Sequence, residues 1–266
     1  MRITSLHVYP VKSCRGINLD DAVIERRGFA LDRRFMIVDV NGRFVSQRER
    51  PELATVRVEV DGGDLVLSHG KVGELFVDVA AAGDGPRSEV TVWRHTGPSI
   101  DQGDVAAEFI GEVLGAPSRL VYMPDDILRP VDPEYAASAQ DIVGFADAYP
   151  LLITSTASLD ALQVEMDEAV SMDRFRPNIV LDHDRSWDED EWCTLQVGDV
   201  ELVITKACTR CVITTTDQHT GERHREPLRT LARERRTERG VTFGVYAVPR
   251  KVGATIRVGD TVNARR

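Results

Sequence analysis

Thr55-Val-Arg-Val-Glu-Val60 alternates apolar and polar residues with a period of two, turns at Asp61-Gly62-Gly63 and returns as Leu65-Val-Leu67. Such alternation sends one set of side chains to a buried face and the other to water, and Asp-Gly is hairpin chemistry. The stretch therefore reads as antiparallel β-structure, and its neighbours follow suit. Upstream, Phe35-Met-Ile-Val38, the turn Asn41-Gly42 and Phe44-Val45 make a second hairpin. Downstream, Glu74-Leu-Phe-Val-Asp-Val79 and Val90-Thr-Val-Trp93 add two more strands.

The second half returns to the same pattern. Arg176-Pro-Asn178 leads into Ile179-Val-Leu181. Leu195-Gln-Val197, Gly198-Asp199 and Val200-Glu-Leu-Val-Ile204 form a hairpin. Phe243 to Val248 and Thr255 to Val258 close the set. Helices are few. Val105 to Leu114 places Phe109, Ile110, Val113 and Leu114 on one face and stops at Gly115-Ala-Pro117. A second is expected from Thr156 or Ser158 to about Val170, with Leu159, Leu162 and Met166 inward. A third is expected to start at Pro227 and to carry Leu228 and Leu231. Many short strands joined by Gly and Asp turns indicate barrels or curled sheets. The expected fold is thus mainly β with a few helices (α+β), in two β-barrel-like units. A boundary near residue 118 divides it into 1–118 and 119–266.

Composition narrows the function. A chain of 266 residues with 42% hydrophobic content has enough apolar mass for a real core. Its formal net charge of -10 argues against a nucleic-acid partner, which requires a basic footprint. Four cysteines (Cys14, Cys193, Cys208 and Cys211) are too few for a disulfide scaffold. With no signal-like segment and no apolar run of spanning length, the expectation is a cytoplasmic protein without a membrane partner.

The densest chemistry is Lys206-Ala-Cys208-Thr-Arg210-Cys211-Val-Ile-Thr-Thr215, where two cysteines flank an arginine. A neighbouring cation favours the thiolate, and a thiolate is a soft metal ligand. His219 and His224 follow, giving C-x2-C-x7-H-x4-H, but a zinc finger requires a longer gap before the first histidine. A thioredoxin-like dithiol requires a following helix, whereas the β-branched Val212 to Thr216 reads as a strand. Two buried structural cysteines are the plain alternative, made less attractive by Arg210. If Arg174 to Asn178 is extended, Arg174, Arg176 and Asn178 face one side and could hold a phosphate or a heteroaromatic edge. Lys12-Ser13 and Arg33-Arg34 are weak signals taken singly. The acidic run Trp187 to Trp192 reads as a solvated loop anchored by its tryptophans, and Arg233 to Arg239 as an exposed helical face.

Taken in order, these segments resemble the MOSC-domain proteins, in particular the group containing the mitochondrial amidoxime-reducing component and its bacterial relatives. The landmarks are Tyr9-Pro-Val-Lys-Ser-Cys-Arg-Gly16, then Asp32-Arg-Arg-Phe35 with Gln47-Arg48 and Pro51. Phe145 to Ser155 with Ser158-Leu159 and Phe175-Arg-Pro-Asn178 follow. Ala207-Cys-Thr-Arg-Cys211 with Thr214-Thr215, Asp217 and Thr220-Gly221 comes next, and Phe243-Gly-Val-Tyr246 and Val258-Gly-Asp260 complete the order. The resemblance spans nearly the whole chain. It implies an N-terminal MOSC-associated β-barrel-like domain over 1–118 and a MOSC domain over 119–266.

The resemblance also implies a molybdenum cofactor of the molybdopterin form, with Cys211 as the protein ligand to molybdenum and as the catalytic position. It assigns cofactor binding to Lys12, Ser13, Arg34, Arg176, Asn178 and Arg210, with Asp147, Ser155 and Tyr246 added. The implied activity is molybdenum-dependent reduction of N-hydroxylated compounds. The chain shows neither a G-x-G-x-x-G fingerprint nor an extra cysteine set, so electrons are expected from a separate ferredoxin, flavoprotein or cytochrome. A sulfur carrier using Cys211 as a persulfide bearer, or a cofactor-binding protein without turnover, are the alternatives. Nothing in the sequence supports pyridoxal phosphate, since no lysine stands out as a Schiff-base former.

Overall fold

The computed structural model describes residues 1–266. It is mostly β-structure with three α-helices. The largest sheet runs, edge to edge, through Val262–Arg265, Thr194–Val197, Val200–Thr209, Gly240–Pro249, Leu151–Ser155, Ile179–Asp182, Arg2–Val8 and Ile17–Leu19, with Arg236–Thr237 paired to Gly240–Pro249. Every pairing in it is antiparallel except one. Leu151–Ser155 and Ile179–Asp182 run parallel, so the chain between them must cross over, and helix α2 (Thr156–Val164) makes part of that crossing.

The hairpin between Thr55 and Leu67 lies in a three-stranded meander of Arg57–Asp61, Asp64–His69 and Gly73–Asp78. Alternation works as expected there: Val58, Leu65, Leu67, Leu75 and Val77 are buried while Phe76 faces out. They join one core with Phe35, Ile37 and Leu120 and with Ala106, Phe109, Ile110 and Leu114 of helix α1 (Gly103–Leu114). Gly115 ends α1 in the left-handed conformation, as a glycine cap does. A four-stranded sheet of Phe35–Asp39, Ser118–Tyr122, His95–Asp101 and Arg87–Val92 completes this region.

The two sequence units 1–118 and 119–266 interleave in space. Arg2–Val8 pairs with Ile179–Asp182, and Asp21–Glu25 pairs with Thr255–Arg257. Ile3, Leu6, Ile24 and Phe29 share one core with Leu151, Ile179, Leu202 and Val245. Residues 2–8 and 21–29 therefore pack with the C-terminal half, while Val11 and Cys14 join the core around Phe35.

Several local expectations change. Helix α2 ends at Val164 rather than near Val170. Val212–Thr215 is a turn of 3₁₀ helix rather than a strand. The hydroxyl of Thr214 donates to the Cys211 carbonyl at 3.0 Å and that of Thr215 to the Val212 carbonyl at 2.7 Å, which tightens the turn. Helix α3 (Leu228–Glu234) stops before most of the charged run. In the acidic run, Asp188 and Glu189 are buried rather than solvated. Asp188 accepts from Trp192, His183 and Arg266, and Glu189 accepts from Ser155 and Ser158.

Candidate active site

Five stretches of chain converge at one end of the large sheet and wall a recess of about 730 Å³ including its open mouth. Lys12 and Ser13 follow Arg2–Val8. Asp147 precedes Leu151–Ser155. Arg176 and Asn178 precede Ile179–Asp182. Cys208, Arg210 and Cys211 end Val200–Thr209, and Tyr246 lies across from them in Gly240–Pro249. Arg33 and Arg48 complete the cationic lining. Two irregularities in the register between Val200–Thr209 and Gly240–Pro249 fall at Ile204/Lys206 and Ala207/Thr209. Such bulges re-aim side chains next to sites. On the same strand, Gly244 has φ 72°, and a Cβ there would meet the Ile153 carbonyl oxygen at 2.6 Å, so only glycine lets Gly240–Pro249 close up on Leu151–Ser155.

Cys211 is a free, half-buried thiol on the wall, and Cys208 is free and buried. Arg210 Nη1 donates to the Cys208 sulfur at 2.7 Å and its Nη2 to the Phe175 carbonyl at 2.5 Å, while its buried Nε has no partner. Burial works against the Arg210 charge, but Cys208, Tyr246 and Cys211 outweigh it and raise its pKa. Arg48 follows the same logic: burial opposes the charge, and Asp147 and Cys211 raise the pKa. Tyr246 is held well above its ordinary value by burial, with Cys208 and Asp147 adding to the effect.

Lys12 and Asp147 form an ion pair, and Lys12 Nζ also donates to the Phe145 carbonyl at 2.8 Å. Burial lowers the Lys12 pKa to about 8 against the pull of Asp147. Burial also opposes the Asp147 charge, yet Lys12 and Arg48 hold its carboxyl well below the usual carboxylate range. Asp147 remains 39% exposed, inside the recess.

Arg33 and Arg176 both pack on the ring of Tyr9, at 4.1 and 4.4 Å from its centroid. Arg176 Nη1 donates to the Cys14 carbonyl at 2.8 Å. Burial lowers the Arg176 pKa to about 10, and burial likewise pushes the Cys14 thiol up to about 12. Asn178 is fully committed to the protein: it accepts from Arg33 and from the Leu152 amide and donates to the His7 carbonyl and Asp32, all at 3.1 Å. It shapes the recess by holding Arg33 and leaves no free edge for a ligand.

The structure thus brings together Lys12, Ser13, Asp147, Arg176, Asn178, Arg210, Cys211 and Tyr246. It does not bring Arg34 or Ser155 to the recess. Arg34 turns away and donates to the Met123 carbonyl at 2.6 Å, to Asp125 at 2.7 Å and to the Tyr122 hydroxyl at 3.0 Å. Arg33, at φ 48°, takes its place on the wall. Ser155 is fully buried and caps helix α2, accepting from the Ser158 amide at 3.2 Å. Arg174 and Arg176 do not share a face either, because Met172–Phe175 is 3₁₀ helix and Arg176 is left-handed. Arg174 instead reaches the Thr215 carbonyl and Asp217, both at 3.0 Å.

Six non-glycine residues adopt positive φ; Ser13, Arg33 and Arg176 line the recess, and Trp93 touches its walls. Backbone strain of this kind collects at functional sites. No group of three or more His, Cys, Asp or Glu side chains forms a metal cage, so the C-x2-C-x7-H-x4-H spacing does not assemble into a four-ligand zinc site.

Comparison with known proteins agrees with this architecture. Residues 1–117 match the MOSC N-terminal beta barrel domain, and residues 140–263 match the MOSC domain. The chain is 33% identical to mitochondrial amidoxime-reducing component 1 of Homo sapiens, over 98% of this chain and 82% of that protein. It is 31% identical to the Danio rerio protein of the same name, over 98% of this chain and 83% of that one. Against mitochondrial amidoxime reducing component 2 of Bos taurus the identity is 30%, over 98% and 82%. The chain belongs to the MOSC-domain family that contains the mitochondrial amidoxime-reducing components.

Proposed function

We propose that this protein is an oxidoreductase that reduces N-hydroxylated compounds with a molybdenum-bearing pterin cofactor held in the recess. One observation carries the reading: a free, partly accessible thiol, Cys211, shares a wall with Lys12, Arg33, Arg48, Arg176 and Arg210 in a protein of net charge -10. A soft sulfur ligand beside concentrated cationic donors fits a sulfur-ligated metal on an anionic, phosphate-bearing organic group. The Arg210 Nε has no protein partner and is a donor left over for an oxygen of such a group.

In this reading Cys211 supplies the protein ligand. Arg33 and Arg176, braced on Tyr9, bind phosphate or pterin oxygens, and Asp147 is the one carboxylate acceptor on the wall. Lys12 keeps Asp147 ionised, and Arg48 lies between Asp147 and Cys211. When bound, the cofactor supplies the two-electron centre at which the N–O bond is reduced. Electrons come from a separate ferredoxin, flavoprotein or cytochrome. The relatives named for amidoxime reduction support the substrate class.

The test uses protein from a cofactor-competent host with a reduced viologen as donor. Reduction of an aryl amidoxime to the amidine, abolished in Cys211→Ala, is the expected result. Full activity of that variant would overturn the assignment, and sulfane sulfur on Cys211 without bound molybdenum would favour a sulfur carrier.

A further inference from the structure

Trp93 occupies the first position of the two-residue turn Trp93-Arg94, between the paired residues Val92 and His95. Its φ of 56° lies in the left-handed region, where tight hairpins place glycine or asparagine. A bulky residue there is an outlier. The aromatic is not needed as core, since 43% of it is exposed. It is nevertheless fixed from three sides. Its Nε1 donates to Asp147 Oδ1 at 3.1 Å. The Arg48 guanidinium carbon lies 4.4 Å from the ring centroid. The Phe44 ring packs at 4.9 Å, tilted by 53°. Asp147 and Arg48 are both walls of the recess. The strained turn therefore delivers a rigid, accessible apolar surface to the rim of a cavity whose interior is rich in charge. Strain of this kind persists where surrounding contacts over-determine it, and it clusters at functional sites.

We infer that Trp93 sets substrate specificity: its indole binds the aryl or conjugated portion of an N-hydroxylated substrate whose polar N–OH end enters the recess. The inference rests on the reductase reading above and adds the substrate class. Aromatic contacts add affinity beyond simple area burial. A substrate as small as hydroxylamine cannot reach the rim and the interior together, so only the larger substrate draws on the indole.

The experiment compares benzamidoxime with hydroxylamine in the holoprotein, with a reduced viologen as donor, for wild type, Trp93→Ala and Trp93→Phe. Trp93→Ala is expected to raise KM for benzamidoxime roughly three- to tenfold and to lower the benzamidoxime-to-hydroxylamine ratio of kcat/KM by the same factor. Trp93→Phe is expected to recover most of the loss. Equal loss of kcat on both substrates would overturn the inference, because the indole would then serve only to hold Asp147 and Arg48. A defect seen only with a protein electron donor would also overturn it, in favour of a docking role. A wild-type holoprotein that reduces neither substrate would overturn the reductase reading and this inference with it. An active wild type whose substrate ratio survives Trp93→Ala would overturn the inference alone.

Discussion

Arg33 donates to the side-chain oxygen of Asn178 at 3.1 Å across 145 residues of sequence. This bond ties the turn after Phe29 to the start of Ile179–Asp182, and Asn178, itself 1% exposed, holds the Arg33 guanidinium on the wall of the recess. Asn178 also bonds Leu152, His7 and Asp32, so four protein groups depend on one amide.

Asn178→Ala should therefore cost stability first and function second. Stranding buried partners costs about 1–3 kcal/mol per group, and partial relaxation sets the expected total at about 3 kcal/mol. Urea unfolding of the cofactor-free protein measures it. A loss under about 0.5 kcal/mol would show that these bonds are not holding the recess together.

Arg34 is spent entirely on the fold, whereas Arg33, which also pairs with buried Asp32 at 2.6 Å, lines the recess. Arg34→Ala removes donors to Met123, Tyr122 and Asp125, and should lower unfolding free energy by about 2–3 kcal/mol while each folded chain retains its cofactor. Arg33→Ala should lower the molybdenum retained per folded chain after desalting. The reverse pattern would return Arg34 to the cofactor.

The resemblance implied Arg34 for the cofactor, and the structure puts Arg33 on the recess wall in its place. The Arg33-Arg34 pair announces charge, but which side chain enters the recess depends on φ 48° at Arg33, a backbone choice with no local signature. Ser155 failed for a related reason: a hydroxyl before a helix serves as a cap as readily as a ligand, and Glu189, which completes its bonding, lies 34 residues away. The Cys208-Thr-Arg210-Cys211 cluster stood out because its thiols and cation are adjacent in the chain, and the structure places all three on the recess wall. The β class was legible in alternations such as Val58, Leu65 and Leu67, which depend only on near neighbours. The β-branched run after Cys211 misled, since its threonines bond back to the preceding turn. Trp93 reads as a strand end; its one signal is a two-residue gap between strands without the usual turn residues.

Lys12 gives a pH dependence with a definite sign. Its folded pKa of about 8 lies below the unfolded lysine value of roughly 10.4. Between those values the unfolded chain holds more protons, so stability rises with pH. The penalty for burying the charge is fully present below about pH 8 and is relieved as pH climbs through the window. Unfolding free energy of cofactor-free wild type relative to Lys12→Met should therefore rise between pH 7.5 and 10, by on the order of 2 kcal/mol. A flat difference would mean that Lys12 titrates normally in the fold.

The most direct test of the central claim is molybdenum content, measured by elemental analysis on folded protein from a cofactor-competent host, with Cys211→Ala beside it. About one molybdenum per wild-type chain, lost or spectroscopically altered in the variant, is the expected result. A folded, cofactor-exposed wild type without molybdenum, or a variant whose metal and spectrum match the wild type, would contradict it.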